Sequence, residues 1–254
     1  MVKKLSIFAL LALSLSASAS ESGILSSRAQ RSLSAGKIAK SYGQLERALL
    51  ASRKESDLRS EARVLLSMAE IRTMSLDFAL ADSLISCIRD ESLDKTTKTM
   101  LLHGKAALAN AQGKFSEALK ICESADPDSV KRTEDAIQAG FHSECAIAKA
   151  ATGKVAEDDL NMVKKRAGKK SGFYAWTEAR ISDLGGKSNA DSLYQEAERK
   201  SIQNNVPYMT ATILYHRSML KGCPRETSDD LKLRCKNAFE LMGLPNNSKR
   251  CEGK

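Results

Sequence analysis

The residues of this chain best suited to catalysis or metal binding are three histidines and six cysteines. The histidines, His103, His142 and His216, lie far apart in the sequence, and no H-E-x-x-H, G-x-S-x-G or glycine-rich phosphate-binding motif is present. His142 and Cys145 are spaced for one face of a helix, but no third ligand accompanies them, whereas a zinc site needs three or four. The sequence therefore predicts no catalytic group, no metal site and no cofactor.

The cysteines favour disulfide bonds, because no C-x-x-C pair of the redox or zinc-binding kind is present. An even number of cysteines in an oxidising compartment permits up to three bonds, and the sequence does not choose among the pairings. We expect two of Cys223, Cys235 and Cys251 to be bonded, since they surround one helix pair near the C-terminus. Cys122 and Cys145 form a second candidate pair, between neighbouring helix hairpins.

One acidic residue keeps an enzymatic alternative open. Glu21 and the serine after it are similar to the Glu-Ser motif of lytic transglycosylases, which also contain helical solenoids and act outside the cytoplasm. Those enzymes place the glutamate in a separate lysozyme-like domain, and no such domain surrounds Glu21. Other carboxylates, such as the Asp158-Asp159 pair, are expected at helix starts, where they offset the helix dipole. A cell-wall enzyme, or a subunit of one, is thus the alternative function.

Residues 1–19 have the three parts of a secretory signal peptide. Lys3 and Lys4 form a basic start, Leu5 to Leu15 form an apolar run, and small residues end at Ala19. A run of eleven residues is too short to cross a bilayer, which takes about 20. We expect cleavage after Ala19, export to the periplasm or secretion, and no transmembrane segment in the mature chain.

Composition predicts an all-helical protein. Aromatic residues make up 5% of the chain, there are four prolines, and strand-like alternation of β-branched residues is absent. The net charge is +9, but acidic and basic residues are interspersed. The basic cluster Lys164–Lys170 contains no aromatic residue for base stacking and suits a helix C-terminus. No nucleic-acid partner is therefore predicted.

The stretch from Thr99 to Ala125 shows how the helices are arranged. An alanine-rich segment runs into Gly113, an apolar residue follows at Phe115, and a small residue follows at Ala118. Glycine ends the first helix at no conformational cost, and the small alanine lets the second helix approach the first closely. The same pattern predicts five hairpin turns, which begin at Gly43, Leu76, Gly113, Gly153 and Gly185.

These hairpins resemble tetratricopeptide (TPR) repeats, whose period is 34 residues. The steps between the predicted turns are 33, 37, 40 and 32 residues. The resemblance implies an α-solenoid of antiparallel helix hairpins, with about five TPR-like repeats over residues 20–205. Residues 206–254 are predicted to form a C-terminal capping hairpin and tail, with one helix from Pro207 and another capped by Thr227 or Ser228.

The TPR resemblance also implies a function. Such repeats bind other proteins on the concave face formed by the first helix of each hairpin. We therefore expect a non-enzymatic interaction scaffold or adaptor of the bacterial cell envelope, which binds a peptide or helix; a secreted protein with a purely structural role is a further alternative. The positions that the resemblance places on the concave face are Arg63, Leu66, Glu70, Met100, His103, Asn110, Ser143 and Ile147.

Overall fold

The computed structural model describes residues 20–89 and 93–253. Within them the chain is all-α, with fourteen helices and no strand. The signal peptide expected over residues 1–19 lies outside the described residues. The helices are α1 (Glu21–Ser34), α2 (Ile38–Lys54), α3 (Leu58–Met74), α4 (Phe78–Ser86), α5 (Lys95–Ala111), α6 (Phe115–Glu123), α7 (Pro127–Lys131), α8 (Asp135–Ala151), α9 (Glu157–Ala167), α10 (Gly172–Leu184), α11 (Ala190–Gln203), α12 (Pro207–Ser218), α13 (Arg225–Leu241) and α14 (Pro245–Cys251).

Helices that follow one another in the chain pack in pairs. The pairs are α1 with α2, α3 with α4, α5 with α6, α8 with α9, α10 with α11, and α12 with α13. The first members of successive pairs also pack on each other, α3 on α5, α5 on α8, and α8 on α10. This packing of neighbours is consistent with a helical repeat. None of the described helices has both the length and the apolar character needed to cross a lipid bilayer.

One backbone turn recurs between paired helices. At Gly113 (φ 75°) the amide donates to the carbonyl of Asn110, and the amide of Lys114 donates to the carbonyl of Ala109. These two bonds satisfy carbonyls that the end of helix α5 would otherwise leave unpaired. The same pair of bonds, with a positive φ, occurs at Gly36, Leu76, Gly153 and Gly186.

A constant register links the first helices of four successive pairs. Three side-chain hydrogen bonds between α3, α5, α8 and α10 each join residues that are 34 apart in the sequence. Equivalent turns of these helices therefore lie beside one another. The bonds are Arg63 Nε to Thr97 Oγ1 (3.2 Å), Asn110 Nδ2 to the Glu144 carbonyl (2.9 Å), and Ser143 Oγ with Thr177 Oγ1 (2.9 Å).

The first predicted turn, at Gly43, is wrong. Gly43 lies inside α2, and the turn occurs at Gly36, before that helix. The turn at Gly36 is followed by the same spacing as the turn at Gly113: an apolar residue two positions later, at Ile38, and a small buried residue five positions later, at Ser41. The hydroxyl of Ser41 donates to the carbonyl of Ala29 (2.9 Å), so serine replaces alanine where α2 approaches α1.

The C-terminal region also differs from the prediction. Helix α13 begins before both Thr227 and Ser228, so neither caps it. The Ser228 hydroxyl instead donates to the carbonyl of Ser218 (2.9 Å) at the end of α12. The predicted tail contains a further short helix, α14, with Pro245 in its first turn, where proline is tolerated because that amide needs no helical partner.

Two disulfide bonds join neighbouring helices. Cys122 of α6 is bonded to Cys145 of α8, the pair expected between hairpins. Cys235 of α13 is bonded to Cys251, the last residue of α14, so two of the three C-terminal candidates are paired. Cys223 is a free thiol.

The first three helices of the described chain pack against the last three. One cluster of buried apolar residues contains side chains from α1, α2 and α3 together with side chains from α12, α13 and α14. Three hydrogen bonds cross this contact. The Tyr208 hydroxyl and the Asn247 amide each donate to the carbonyl of Met74 (3.0 Å), and the Asn246 amide donates to the carbonyl of Ser75 (3.3 Å). The C-terminal helices thereby enclose one side of the space between the first helices of the pairs.

We expect Gly36→Ala to weaken this contact. A Cβ at Gly36 would lie 2.9 Å from Pro207 Cγ and 3.4 Å from Met242 Cγ, and the residue would keep a left-handed conformation. Gly153→Ala is the matched control, because its φ is similar and a Cβ there meets nothing within 4 Å. Urea unfolding should show Gly36→Ala losing about 1–3 kcal/mol more than Gly153→Ala. Equal losses would contradict a close approach at Gly36.

Candidate binding site

A partly open cavity of about 290 Å³ lies where five helices converge. Helices α3, α5, α8, α10 and α12 each direct residues from one face into it, and α14 contributes Arg250. On α12, for example, Tyr208, Thr212 and His216 are four residues apart, which places them on one face of the helix. The cavity is thus a product of the packing between helix pairs.

Two carboxyl groups face the cavity without a cationic partner in the described part of the chain. Glu70 of α3 and Glu144 of α8 both line the cavity, and neither forms an ion pair. Burial, reinforced by the nearby charge of Glu144, raises the pKa of Glu70 to about 8. Burial also raises the pKa of Glu144 to about 7, although a hydrogen bond from Asn110 acts in the opposite direction.

Asn110 fixes the position of one of these acids. Its amide nitrogen donates both to the carbonyl of Glu144 (2.9 Å) and to Oε2 of the same residue (2.8 Å). Its own carbonyl oxygen, Oδ1, is buried and has no hydrogen-bond partner. The cavity is therefore lined by the carboxyl groups of Glu70 and Glu144 and by the unpartnered amide oxygen of Asn110.

His103 adds a buried polar atom to the same wall. The residue is 7% exposed, lines the cavity, and has no hydrogen-bond partner for Nε2. Burial lowers the pKa of His103 to about 4, so its imidazole is neutral at neutral pH. A neutral imidazole nitrogen can donate or accept one hydrogen bond, depending on the tautomer.

Aromatic residues and two arginines that are already engaged also line the cavity. Arg180 is paired with Asp183, and the guanidinium of Arg250 lies 4.2 Å from the ring centroid of Tyr215. Burial, followed by the charges of Arg180 and Arg250, keeps the pKa of His216 well below its usual value. The aromatic residues that line the cavity are Phe115, Phe173, Trp176 and Tyr208.

The structure brings six of the eight predicted concave-face residues to this one cavity. The other two make contacts between helices. Arg63 bonds to Thr97 and pairs with Asp94, and Ser143 is fully buried against Thr177. The six that line the cavity are Leu66, Glu70, Met100, His103, Asn110 and Ile147.

Sequence reasoning did not identify the cavity residues from α10 and α12. Phe173, Trp176 and Arg180 occupy one face of α10 at intervals of three and four residues, and the only tryptophan of the chain is among them. The helical spacing of these three residues would have indicated that they share one face. Glu144 could also have been predicted to lie on the concave face, because it is 34 residues after Asn110, which the TPR resemblance places there.

The other residues considered for chemistry lie elsewhere. His142 Nδ1 lies 2.7 Å from Asp159 Oδ1, and Cys145 is in a disulfide, so these two do not form a metal site. Across residues 20–89 and 93–253, no three His, Cys, Asp or Glu side chains are grouped so that they would hold a metal ion. Glu21 is the exposed first residue of α1, next to its N-cap Ser20.

Comparison with known proteins assigns no family to the chain. No protein-family model matches it, and no curated protein matches it.

Proposed function

We propose that this protein is a non-enzymatic binding module of the bacterial cell envelope, built as a TPR-like α-solenoid of about five hairpins with a C-terminal capping hairpin. Its partner is a protein or peptide, which inserts one side chain or chain end into the central cavity. The observation that carries this proposal is the cavity itself, where faces of five helices converge on polar atoms that have no partner.

The register of the helices supports the TPR-like assignment. Three bonds between successive first helices span 34 residues, which is the TPR period. The recurring turns, four at glycine and one at Leu76, support the same assignment, because each one joins the two helices of a pair through the same two hydrogen bonds. The helix pairs α1–α2 to α10–α11 correspond to the five proposed repeats, and α12–α13 to the cap.

The size of the cavity narrows the occupant. A volume of about 290 Å³ is at the lower limit for small-molecule pockets. It is too small to enclose an α-helix, which with its side chains is about 10 Å wide. The occupant is therefore a single long side chain or a chain terminus. A partner segment would bury that group in the cavity while the rest of the segment lies across the opening.

Export of the protein is supported by its disulfides. Structural disulfides persist in oxidising compartments such as the periplasm and are rare in the cytosol. The predicted signal peptide agrees with the two bonds of the described structure.

The test is to fill the cavity. Ala107 lines it, so Ala107→Phe would place a benzyl group where the partner's side chain is proposed to bind. The tagged variant and the wild-type protein would be used to capture partners from the envelope fraction, followed by binding assays with each purified partner. We expect a stoichiometric partner that binds the wild type and loses about tenfold or more affinity for Ala107→Phe.

The matched control is Ala39→Phe, which adds the same group at an exposed position of α2. It should bind the partner as the wild type does. A partner retained equally by both variants would show that the cavity is not the binding site. The absence of any stoichiometric partner would contradict the adaptor role.

A further inference from the structure

The central cavity contains an acidic pair that nothing in the described chain neutralises. The pKa of Glu70 is raised by burial and by Glu144, and no cationic side chain opposes that effect. Among the described residues, Asn110, which is neutral, lowers the pKa of Glu144 by its hydrogen bond. A carboxylate buried without a counter-charge is costly, so in the empty protein these carboxyl groups retain their protons to a higher pH and ionise fully only when a cation is bound beside them. The missing cation is the feature that a ligand would supply.

We propose that the cavity binds a primary ammonium group on an apolar stem, held between the carboxylates of Glu70 and Glu144 and the amide oxygen of Asn110. This inference rests on the proposed binding role of the cavity and gives its ligand a chemical class. The ammonium belongs to a lysine side chain or an N-terminus of the partner segment, or to a free alkylamine, which offers the same group.

The N–H donors of an ammonium group match the acceptors contributed by Glu70, Glu144 and Asn110, although they leave the unpartnered N–H donor of Trp176 without an acceptor. An ammonium group has three N–H donors and no acceptor. The wall offers a Glu70 carboxyl without a hydrogen-bond donor, the second oxygen of Glu144, and Asn110 Oδ1, which is buried and unpartnered. His103 Nε2, also buried and unpartnered on this wall, gives the ligand one more hydrogen-bonding atom.

The remaining lining suits an alkyl stem. Leu66, Met100 and Ile147 lie on the same helices as the acceptors, and the rings of Phe115 and Trp176 line the cavity as well. Aromatic faces attract cations and cover methylene groups at the same time. A carboxylate ligand fits less well, since Arg180 is already paired with Asp183 and Arg250 is stacked on Tyr215.

The charged groups around the site predict a pH dependence. Glu70 and Glu144 are both largely protonated below about pH 7 in the empty protein, so binding of an ammonium below that pH must release a proton. His103 is neutral across this range, because burial lowers its pKa to about 4. Affinity should therefore rise from pH 6 to pH 8.5, by up to about tenfold per unit.

The experiment is calorimetric titration of the disulfide-bonded protein with n-hexylamine at pH 8.5, with n-hexanol as the uncharged control of equal length. We expect hexylamine to bind at one site and hexanol to bind at least about tenfold more weakly. Glu70→Gln should reduce hexylamine affinity about tenfold or more, whereas Glu46→Gln, at an exposed position of α2, should not change it. Thermal unfolding of each variant verifies that it is folded.

Several results would overturn the ammonium site: no heat with millimolar hexylamine, equal affinity for hexylamine and hexanol, or full affinity in Glu70→Gln. These outcomes would not affect the cavity-filling test of the adaptor role.

A second titration, with peptides, identifies the source of the ammonium group. A lysine peptide that binds better than its norleucine analogue indicates a partner segment. Binding of hexylamine without binding of either peptide indicates a free amine, which would support the ammonium site but contradict the adaptor.

Discussion

Replacing Glu70 by glutamine is expected to stabilise the protein, and to do so more strongly as the pH rises. The pKa of Glu70 is raised from 4.5 to about 8, so between these values the folded protein holds a proton that the unfolded chain has lost. The free energy of unfolding of the wild type therefore falls as the pH rises from about 4.5 to 8. Glutamine resembles the protonated acid and does not ionise. The expected gain is near zero at pH 4.5 and on the order of 3–5 kcal/mol at pH 8.5.

Urea unfolding of the variant and the wild type at matched pH values measures this difference. The comparison removes the effect of His103, whose lowered pKa costs stability in both proteins as the pH falls from 6.5 towards 4. Glu46→Gln, at an exposed site, should give no pH-dependent gain. A Glu70→Gln difference that does not change with pH, or a loss of stability at pH 8.5, would show that the Glu70 carboxyl is ionised and well solvated in the folded protein.

Removing the disulfide between Cys235 and Cys251 is expected to cost about 3 kcal/mol of stability. The bond closes a loop of 16 residues, and a loop of this length loses chain entropy worth about that much in the unfolded state. Both sulfur atoms are buried, so the variant Cys235→Ala with Cys251→Ala avoids placing hydroxyl groups in the core. The effect should extend to the cavity, because α14 has seven residues and is too short to persist without tertiary contacts.

Urea unfolding gives the loss of stability, and hydrogen exchange shows its location. We expect faster exchange in α14 and at its contact with Met74, where Asn247 donates to the backbone. Cys87→Ala is the control, since Cys87 is an exposed free thiol, and it should leave stability within about 0.5 kcal/mol of the wild type. Unchanged exchange in α14 would mean that apolar packing alone holds this helix.

The all-α architecture was predictable from local signals, as were four of the five turns that join the helices of pairs α1–α2 to α10–α11. Gly113, Gly153 and Gly186 adopt a left-handed conformation that glycine reaches without strain, so a glycine after an apolar helical segment indicates a helix end. The fully buried Ala81 and Ala118 were predictable from the need for close helix approach. Gly43 misled the prediction because the equivalent small residue in α2 is Ser41, whose hydroxyl bonds back to α1.

The candidate site was predictable only in part. The TPR resemblance placed Glu70, His103 and Asn110 on one surface, because the period and the helix geometry are local properties. It also placed Arg63 and Ser143 there, yet these side chains find partners on the next helix. Which side chains have partners depends on the distances between helices, and those distances are not a local property of the sequence.

The sequence by itself determined most of the helices and most of the turns between them, since each of these depends on residues close together in the chain, and it fixed the number of cysteines. Only the tertiary structure decided that the first three described helices pack against the last three and that Tyr208, Trp176 and Arg250 surround the same cavity as Glu70. The reason is physical: burial without a partner raises the pKa of a carboxyl group, and burial is set by helices more than 70 residues away in the chain as much as by immediate neighbours.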